Sequence, residues 1–378
     1  MKPRLLLALA LLVCAPGASP RAQSRQAEEE WPRVTRLSDR VIVLTLDGWQ
    51  RDNTVIVASK RGLVLVDADT SQSYGRQIRD IARRELGRDD FVYVVNTHDD
   101  WDHTGGNQAF AGATIIGQRQ CYEMLKRQRQ HQAEEVAKEQ AWASAETVKA
   151  REALAKAAHG SDAAGEAANT LARLRRYADD LSNNFQITPP NLVYEDRLLL
   201  DLGDLTVRLL YFGRAHKEGD TLVLVPEEHL LMTGDLAFDS AIAAQVEGGR
   251  YQGAFDVPRW LEALHEVLDG GTTLVHVVKG HASIESGEWL AVRRRYLSRL
   301  WEGVQAARAR GATVDQAVKE LSLQAAFPDM IQWDPKVAAS ELARRHAALI
   351  RLFWERGITG GLPLAVPAGL PSADRHRP

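Results

Sequence analysis

The chain has 378 residues, 45% of them hydrophobic and 26% charged, with a formal net charge of −3. At ~100–200 residues per domain this is one large domain or two modest ones, with enough apolar content to bury a core without disulfide staples. The composition excludes wholly disordered, collagen-like and cysteine-framework chains. The charge argues against a nucleic-acid binder that works through a basic surface.

Lys2 and Arg4 precede the apolar run Leu5–Val13, and the small residues Ala15, Gly17, Ala18 and Ser19 follow. This is the layout of a secretory signal peptide, assigned to residues 1–22. The apolar run is shorter than the ~20 residues a spanning helix needs, so no stable membrane span is expected after cleavage. An uncleaved anchor is the rival reading, and a lipid-modified Cys14 is disfavoured by the bulky Val13 before it. Cleavage would remove Lys2, Arg4 and Arg21, take the net charge from −3 to −6, and leave Cys121 as the single cysteine. A periplasmic or secreted protein with no intrachain disulfide is expected, its stability coming from its core and bound metal.

From residue 29 onward short apolar runs alternate with turns. Val41–Leu46, Thr54–Ala58 and Leu63–Asp67 read as strands, Gln77–Leu86 as a helix, and Phe91–Val95 as a buried strand leading into Asn96-Thr97-His98. Strands interleaved with helices predict a layered α/β fold. Residues 118–184 differ: they are rich in Ala, Glu, Lys, Arg and Gln and contain no proline. Leu171, Leu174, Ala178 and Leu181 recur at helical spacing, and Asp162 after Gly160-Ser161 can cap a helix. This predicts a helical hairpin inserted into the domain, over roughly 119–158 and 162–182. A solvated hairpin on the domain edge is the plain expectation; a lid over a pocket or a homodimerisation arm are the sharper ones. Strands are expected again at Arg197–Leu200, Thr206–Phe212, Thr221–Val225, His229–Met232 and Thr273–Val278, with a helix at Pro258–Leu268. Residues 284–358 form a C-terminal helical region, with Trp289, Val292, Tyr296, Leu300 and Val304 on one face, and the Pro-rich tail 359–378 is expected to be disordered.

The chemistry concentrates in Thr97-His98-Asp99-Asp100-Trp101-Asp102-His103-Thr104-Gly105-Gly106. Two histidines and three carboxylates crowd six positions at the end of an apolar strand. Imidazole and carboxylate suit a borderline divalent cation, and so many acids in one loop would otherwise repel and pay for desolvation. Three more candidates end apolar runs downstream: His216 in Ala215-His216-Lys217-Glu218-Gly219-Asp220, Asp235 in Gly234-Asp235, and His281 in Gly280-His281. One such residue would read as a cap or turn. Four strand ends in order point to a metal centre.

This order and its surroundings resemble the metallo-β-lactamase superfamily, glyoxalase-II-like and related branches, whose pattern is T-H-x-H-x-D-H, then G-H-T or A-H-x-x-G-D, then G-D, then G-H. The resemblance covers residues 31–283, interrupted by the helical segment, with the domain taken as 29–283. It implies an αββα sandwich with the metal site at one edge of two packed sheets, here with the helical insertion and C-terminal helices added. It further implies one metal site from His98, Asp100 and His216, a second from Asp102, His103 and His281, and Asp235 bridging both. A shared water or hydroxide would be the nucleophile, oriented by Asp102, and Asp67 would brace the metal loop. Asn53 is read as a turn residue, Asp99 as solvent-facing or a turn cap, and Trp101 as either pocket wall or core.

Two departures stand out. The family carries a second histidine where this chain has Asp100, and proline where it has Lys279. Asp100, Asp102, Asp235 and a hydroxide would together cancel two divalent cations, and a harder first site would favour Fe or Mn over Zn. Lys279 is read as solvated or as holding a substrate anion. The resemblance implies two Zn2+ per chain and a small-molecule substrate with a hydrolysable ester, thioester, lactone or amide bond, possible β-lactams included, and no nucleic acid. Two rivals remain: a mononuclear-iron persulfide dioxygenase using His98, His216 and Asp235, and a non-catalytic protein with a decayed site.

Overall fold

A computed structural model describes residues 32–46, 52–183, 185–213, 216–236, 257–328 and 338–356. The expected signal peptide, 1–22, and the tail expected to be disordered, 359–378, lie outside the described residues.

Seven strands build the first sheet in sequence order: β1 (Arg33–Arg36), β2 (Val41–Thr45), β3 (Asn53–Ser59), β4 (Gly62–Val66), β5 (Phe91–Val95), β6 (Thr114–Gln118) and β7 (Leu192–Tyr194). β1 to β4 run antiparallel, and β4 to β7 parallel. The second sheet contains β8 (Arg197–Asp201), β9 (Thr206–Leu210), β10 (Leu222–Val225), β11 (Leu230–Gly234), β12 (His276–Lys279) and β13 (Ile284–Glu285), again in order. Among the described residues only β11 and β12 pair in parallel there.

Successive side chains on a strand point to opposite faces, and in β2, β3 and β4 both faces are apolar. Val41, Val43, Val55, Val57, Val64 and Val66 face the second sheet's Val207, Leu209, Val223, Val225 and Met232. Their neighbours Ile42, Leu44, Ile56, Leu63 and Leu65 pack against Ile78 and Ile81 of helix α1 (Gln72–Leu86). Burial on both faces explains why these strands read as unbroken apolar runs rather than as alternating ones.

Beyond β5, α2 (Trp101–Thr104) is a single turn in the metal loop. The 118–184 segment holds three helices rather than the expected two: α3 (Arg119–Gln130), α4 (Gln132–Lys156) and α5 (Asp162–Ser182). The break falls at His131, whose φ of −112° and ψ of 26° leave the helical path. Buried Cys121 and Leu125 tie α3 to the domain, with the Cys121 backbone against Gly219, while α4 turns away to pack along α5. No glycine or proline marks this break in the sequence. Nor is the hairpin merely solvated: Leu171, Arg173, Leu174, Tyr177, Asp180 and Leu181 of α5 are buried.

The second sheet's outer face is covered by α6 (Val257–Asp269), α7 (Gly287–Ala309), α8 (Val314–Glu320), the short α9 (Leu323–Ala326) and α10 (Ala339–Arg356). Leu222, Leu224, Leu231 and Val277 from the sheet share one core with Trp260, Leu264, Leu290, Leu300, Ile350 and Phe353. The layers are therefore helix, sheet, sheet, helix. The C-terminal helices are part of the outer layer rather than an appendage. No helix among the described residues is long and apolar enough to cross a membrane.

Candidate metal centre

The parallel strands deliver the loop that matters. β5 ends at Val95, and Thr97, His98 and Asp99 follow it into the single turn of α2. Asp67, just past β4, holds this loop from below: its Oδ1 accepts from the Thr97 amide at 2.8 Å, and its Oδ2 accepts from the Thr97 hydroxyl at 2.8 Å. Asp67 Oδ2 also lies 2.8 Å from His103 Nδ1. Asp67 adopts φ +59° to do this, which matches the bracing role expected of it. Glycine is required close by. A Cβ on Gly105 would sit 1.8 Å from the Thr70 carbonyl oxygen, and one on Gly280 would sit 2.0 Å from Asp235 Oδ1.

All seven expected residues, His98, Asp100, Asp102, His103, His216, Asp235 and His281, converge at this edge of the two sheets. Three groups bring their ligand atoms within 4.8 Å of one another: His98 with Asp100 and His216, Asp102 with His103 and His281, and His98 with His103 and Asp235. In the first group Asp100 Oδ2 lies 3.5 Å from His98 Nε2 and 3.3 Å from His216 Nε2. In the second, Asp102 Oδ2 lies 3.5 Å from both His103 Nε2 and His281 Nε2. Asp235 lies between the groups, with Oδ2 3.6 Å from His216 Nε2 and 3.1 Å from His281 Nε2, and Oδ1 3.6 Å from His103 Nε2.

The donor set fits divalent metal. Tetrahedral ligation with bonds of ~2.0–2.1 Å puts ligand atoms ~3.4 Å apart, close to the separations just given. The Thr97 hydroxyl donates to Asp67, so its oxygen accepts from His98 Nδ1 at 3.0 Å, leaving the His98 Nε2 lone pair facing the cluster. His98 Nε2, His103 Nε2 and Asp235 Oδ1 are buried with no hydrogen-bond partner among the described residues, a costly state unless a cation satisfies them.

The ionisation of these groups reflects the same crowding. Burial pulls His98 down to about 4, with His103 adding to the fall. Burial opposes protonation of His103, but Asp102, Asp67 and Asp235 outweigh it and raise it to about 10. Burial likewise opposes protonation of His281, yet Asp235 and Asp52 hold it well above its ordinary value. Asp102 is pushed up to about 7 by burial, helped by Asp52 and Asp100. The acids that raise His103 and His281 are the ones a divalent cation would neutralise.

Asn53, Asp99 and Lys279 depart from the sequence reading, whereas Trp101 and Asp220 keep to theirs, as a packed side chain and as a group hydrogen-bonded near His216. Asn53 is no turn residue: it opens β3, accepts from the Thr45 hydroxyl at 2.6 Å, and donates to the Lys279 carbonyl at 3.0 Å, tying the His281 loop to the first sheet. Asp99 is buried rather than solvent-facing, and burial, then the charge of Asp100, raises its carboxyl to about 7. Lys279 is neither solvated nor aimed at a substrate. Its side chain is buried, with Nζ 3.3 Å from Glu285 and 5.1 Å from the centre of the Trp289 ring, a pairing of residues close in sequence that anchors β12 to α7. Trp101 packs against the insertion, stacking on Phe185 at 5.0 Å and donating to Gln128 at 2.9 Å. Asp220 accepts from the amides of His216 and Lys217 at 2.7 and 2.8 Å, fixing that turn.

Three contributors carry no motif in the sequence. Lys217 Nζ lies 2.6 Å from Asp100 Oδ1. Asp52 lies 3.1 Å from His281 Nδ1. Arg173 of α5 lies 2.8 Å from Asp52. The adjacency of Lys217 to His216 is the one cue that sequence offered for any of them.

A family model of the metallo-β-lactamase superfamily matches residues 47–269. The chain belongs to the metallo-β-lactamase superfamily. Among solved structures it is similar to a metallo-β-lactamase from Pontibacter korlensis, at 14% identity and a TM-score of 0.48, covering 71% of this chain and 99% of that one. The DIM-1 metallo-β-lactamase matches at 15% identity and a TM-score of 0.47, covering 71% and 97%. One from Erythrobacter litoralis, solved with β-mercaptoethanol in its active site, matches at 14% and 0.45, covering 70% and 95%. No curated protein matches the chain. Membership and the grouped candidate ligands together support a metal-dependent, hydrolase-type function.

Proposed function

We propose that this chain is an exported hydrolase that holds two zinc ions and cleaves an ester, thioester, lactone or amide bond of a small molecule. The observation that carries the reading is the pairing of two three-residue groups across Asp235. His98, Asp100 and His216 would hold one ion, Asp102, His103 and His281 the other, and Asp235 would touch both. Zinc bound there supplies an acidified water, with a pKa lowered towards ~7, and a Lewis acid for the substrate's carbonyl oxygen. The chain's own part is orientation and proton handling. Asp102 presents Oδ2 towards both His103 and His281, where it can orient the attacking water and take up its proton. The Asp67 contacts hold the His103 ring and the strand end that carries His98.

The second group gives the dinuclear reading its advantage over a single iron on His98, His216 and Asp235, which would leave Asp102, His103 and His281 without a task. The acidic net charge and the signal-like residues 1–22 support a small-molecule substrate outside the cytoplasm. The test is hydrolysis of a panel of chromogenic ester, thioester, lactone and β-lactam probes by protein stripped with a chelator and then given zinc. Turnover that is lost on stripping and returns with zinc is expected for at least one probe. A zinc-loaded protein that hydrolyses none of them, or a stripped protein that hydrolyses one at the full rate, contradicts the reading.

A further inference from the structure

The helical insertion reaches the metal centre through one side chain. Arg173 of α5 is fully buried, far from the water a guanidinium normally keeps. Its Nη2 lies 2.8 Å from Asp52 Oδ2 and 3.6 Å from Asp69 Oδ1, and its guanidinium sits 5.3 Å from the centre of the Tyr74 ring. The other carboxylate oxygen of Asp52 lies 3.1 Å from His281 Nδ1. On the far side of that ring, Nε2 lies 3.1 Å from Asp235 and 3.5 Å from Asp102.

The backbone supports the same line. Asp52 and His281 face each other as an isolated antiparallel bridge, and the Asn53 amide donates to the Gly280 carbonyl at 2.7 Å. α5 is in turn fastened over the start of α1. Arg176 donates to the Ser73 hydroxyl at 2.7 Å and to Gln77 at 3.0 Å, and Asp180 accepts from the Ser71 hydroxyl and, at 3.3 Å, from the Ser73 amide. Helical periodicity accounts for Leu171 and Leu174, but not for a buried cation between them.

We infer that Arg173 is a positioning residue of the metal centre: through Asp52 it holds the His281 ring with Nδ1 towards Asp52 and Nε2 towards Asp102 and Asp235. The inference rests on the two-ion reading above. A carboxylate on the outer nitrogen of a ligating histidine fixes its orientation and raises its basicity. Here that carboxylate needs Arg173, because an unpaired Asp52 buried among Asp69 and Asp102 would take a proton or turn away. The insertion is then a working part of the second ion site rather than decoration on the domain edge.

The test is titration of the stripped full-length protein with Co2+, read by calorimetry and by the visible ligand-field spectrum. Wild type must first take two ions; fewer would overturn the two-ion reading, and this inference with it. With two ions bound, Arg173→Met is expected to weaken one site by ~10–100-fold and alter its part of the spectrum. The site of His98, Asp100 and His216 should stay within about twofold of wild type. Arg173→Lys should recover part of the loss, which a purely volumetric role would not predict. Asp52→Asn retains Arg173 and its Asp69 contact and should reproduce the one-site loss, so it supplies the test if Arg173→Met does not fold. Wild-type affinity at both sites in Asp52→Asn and in the folded Arg173 variants would overturn the inference, as would equal loss at both sites.

Discussion

Asp102→Asn is expected to lower turnover by ~10²–10⁴-fold while leaving secondary structure and melting temperature near wild type. Asp102 sits in a single-turn helix at the rim of the sandwich, and its carboxylate faces the Nε2 atoms of His103 and His281 at 3.5 Å. The amide is nearly the same size, so packing is kept. What changes is chemistry: a neutral amide is a poorer ligand than a carboxylate for a divalent cation and cannot accept the proton that an attacking water gives up. The loss should appear in kcat more than in KM, because the group acts on the reacting water rather than on the bound substrate. Wild-type kcat in a folded, zinc-loaded Asp102→Asn protein would remove Asp102 from the chemistry.

The second large effect concerns the residue that departs from the family pattern. Asp100→Ala is expected to leave one zinc per chain instead of two, and Asp100→His to keep two. Asp100 divides its carboxylate, with Oδ2 towards His98 and His216 and Oδ1 2.6 Å from Lys217 Nζ. Burial opposes ionisation, but His216, His98 and Lys217 hold the carboxyl well below the usual range. Aspartate with its lysine is a neutral pair, as histidine is neutral, so the exchange of ligand adds no net charge to the centre. With Lys217 beside Asp100, the three carboxylates and a hydroxide no longer cancel the charge of two divalent cations. The first site should lose at least ~10–100-fold in affinity without its carboxylate, a full ligand mattering no less than the outer contacts that tune one. Calorimetric zinc titration of the two variants gives the answer. Two ions at wild-type affinity in Asp100→Ala would show that Asp100 is not a ligand.

Much of the centre was legible because each candidate ligand follows a hydrophobic run. A buried strand ending in His98, Asp235 or His281 is visible in one dimension, and the loop after it has few places to go. The partners of those residues were not legible. Asp52 touches His281 across more than two hundred positions, and Arg173 meets Asp52 from a helix whose apolar spacing says only which face is buried. Lys279 shows the converse. Its place beside Gly280-His281 suggested a substrate contact, yet its ammonium turns to Glu285 and Ser283. The same contrast holds for the fold. β2 to β5 announced themselves as apolar runs, whereas β1, with its arginines at both ends, and the three-residue β7 did not. The C-terminal helices showed an apolar face without showing that the second sheet was its partner.

The metal content of the chain, measured by elemental mass spectrometry on protein purified without chelators, tests the two-ion proposal most directly. Two zinc per chain is the expected result, since His98, Asp100 and His216 on one side of Asp235 and Asp102, His103 and His281 on the other each complete a set. One iron per chain with oxygen uptake, or no bound metal at all, would contradict it.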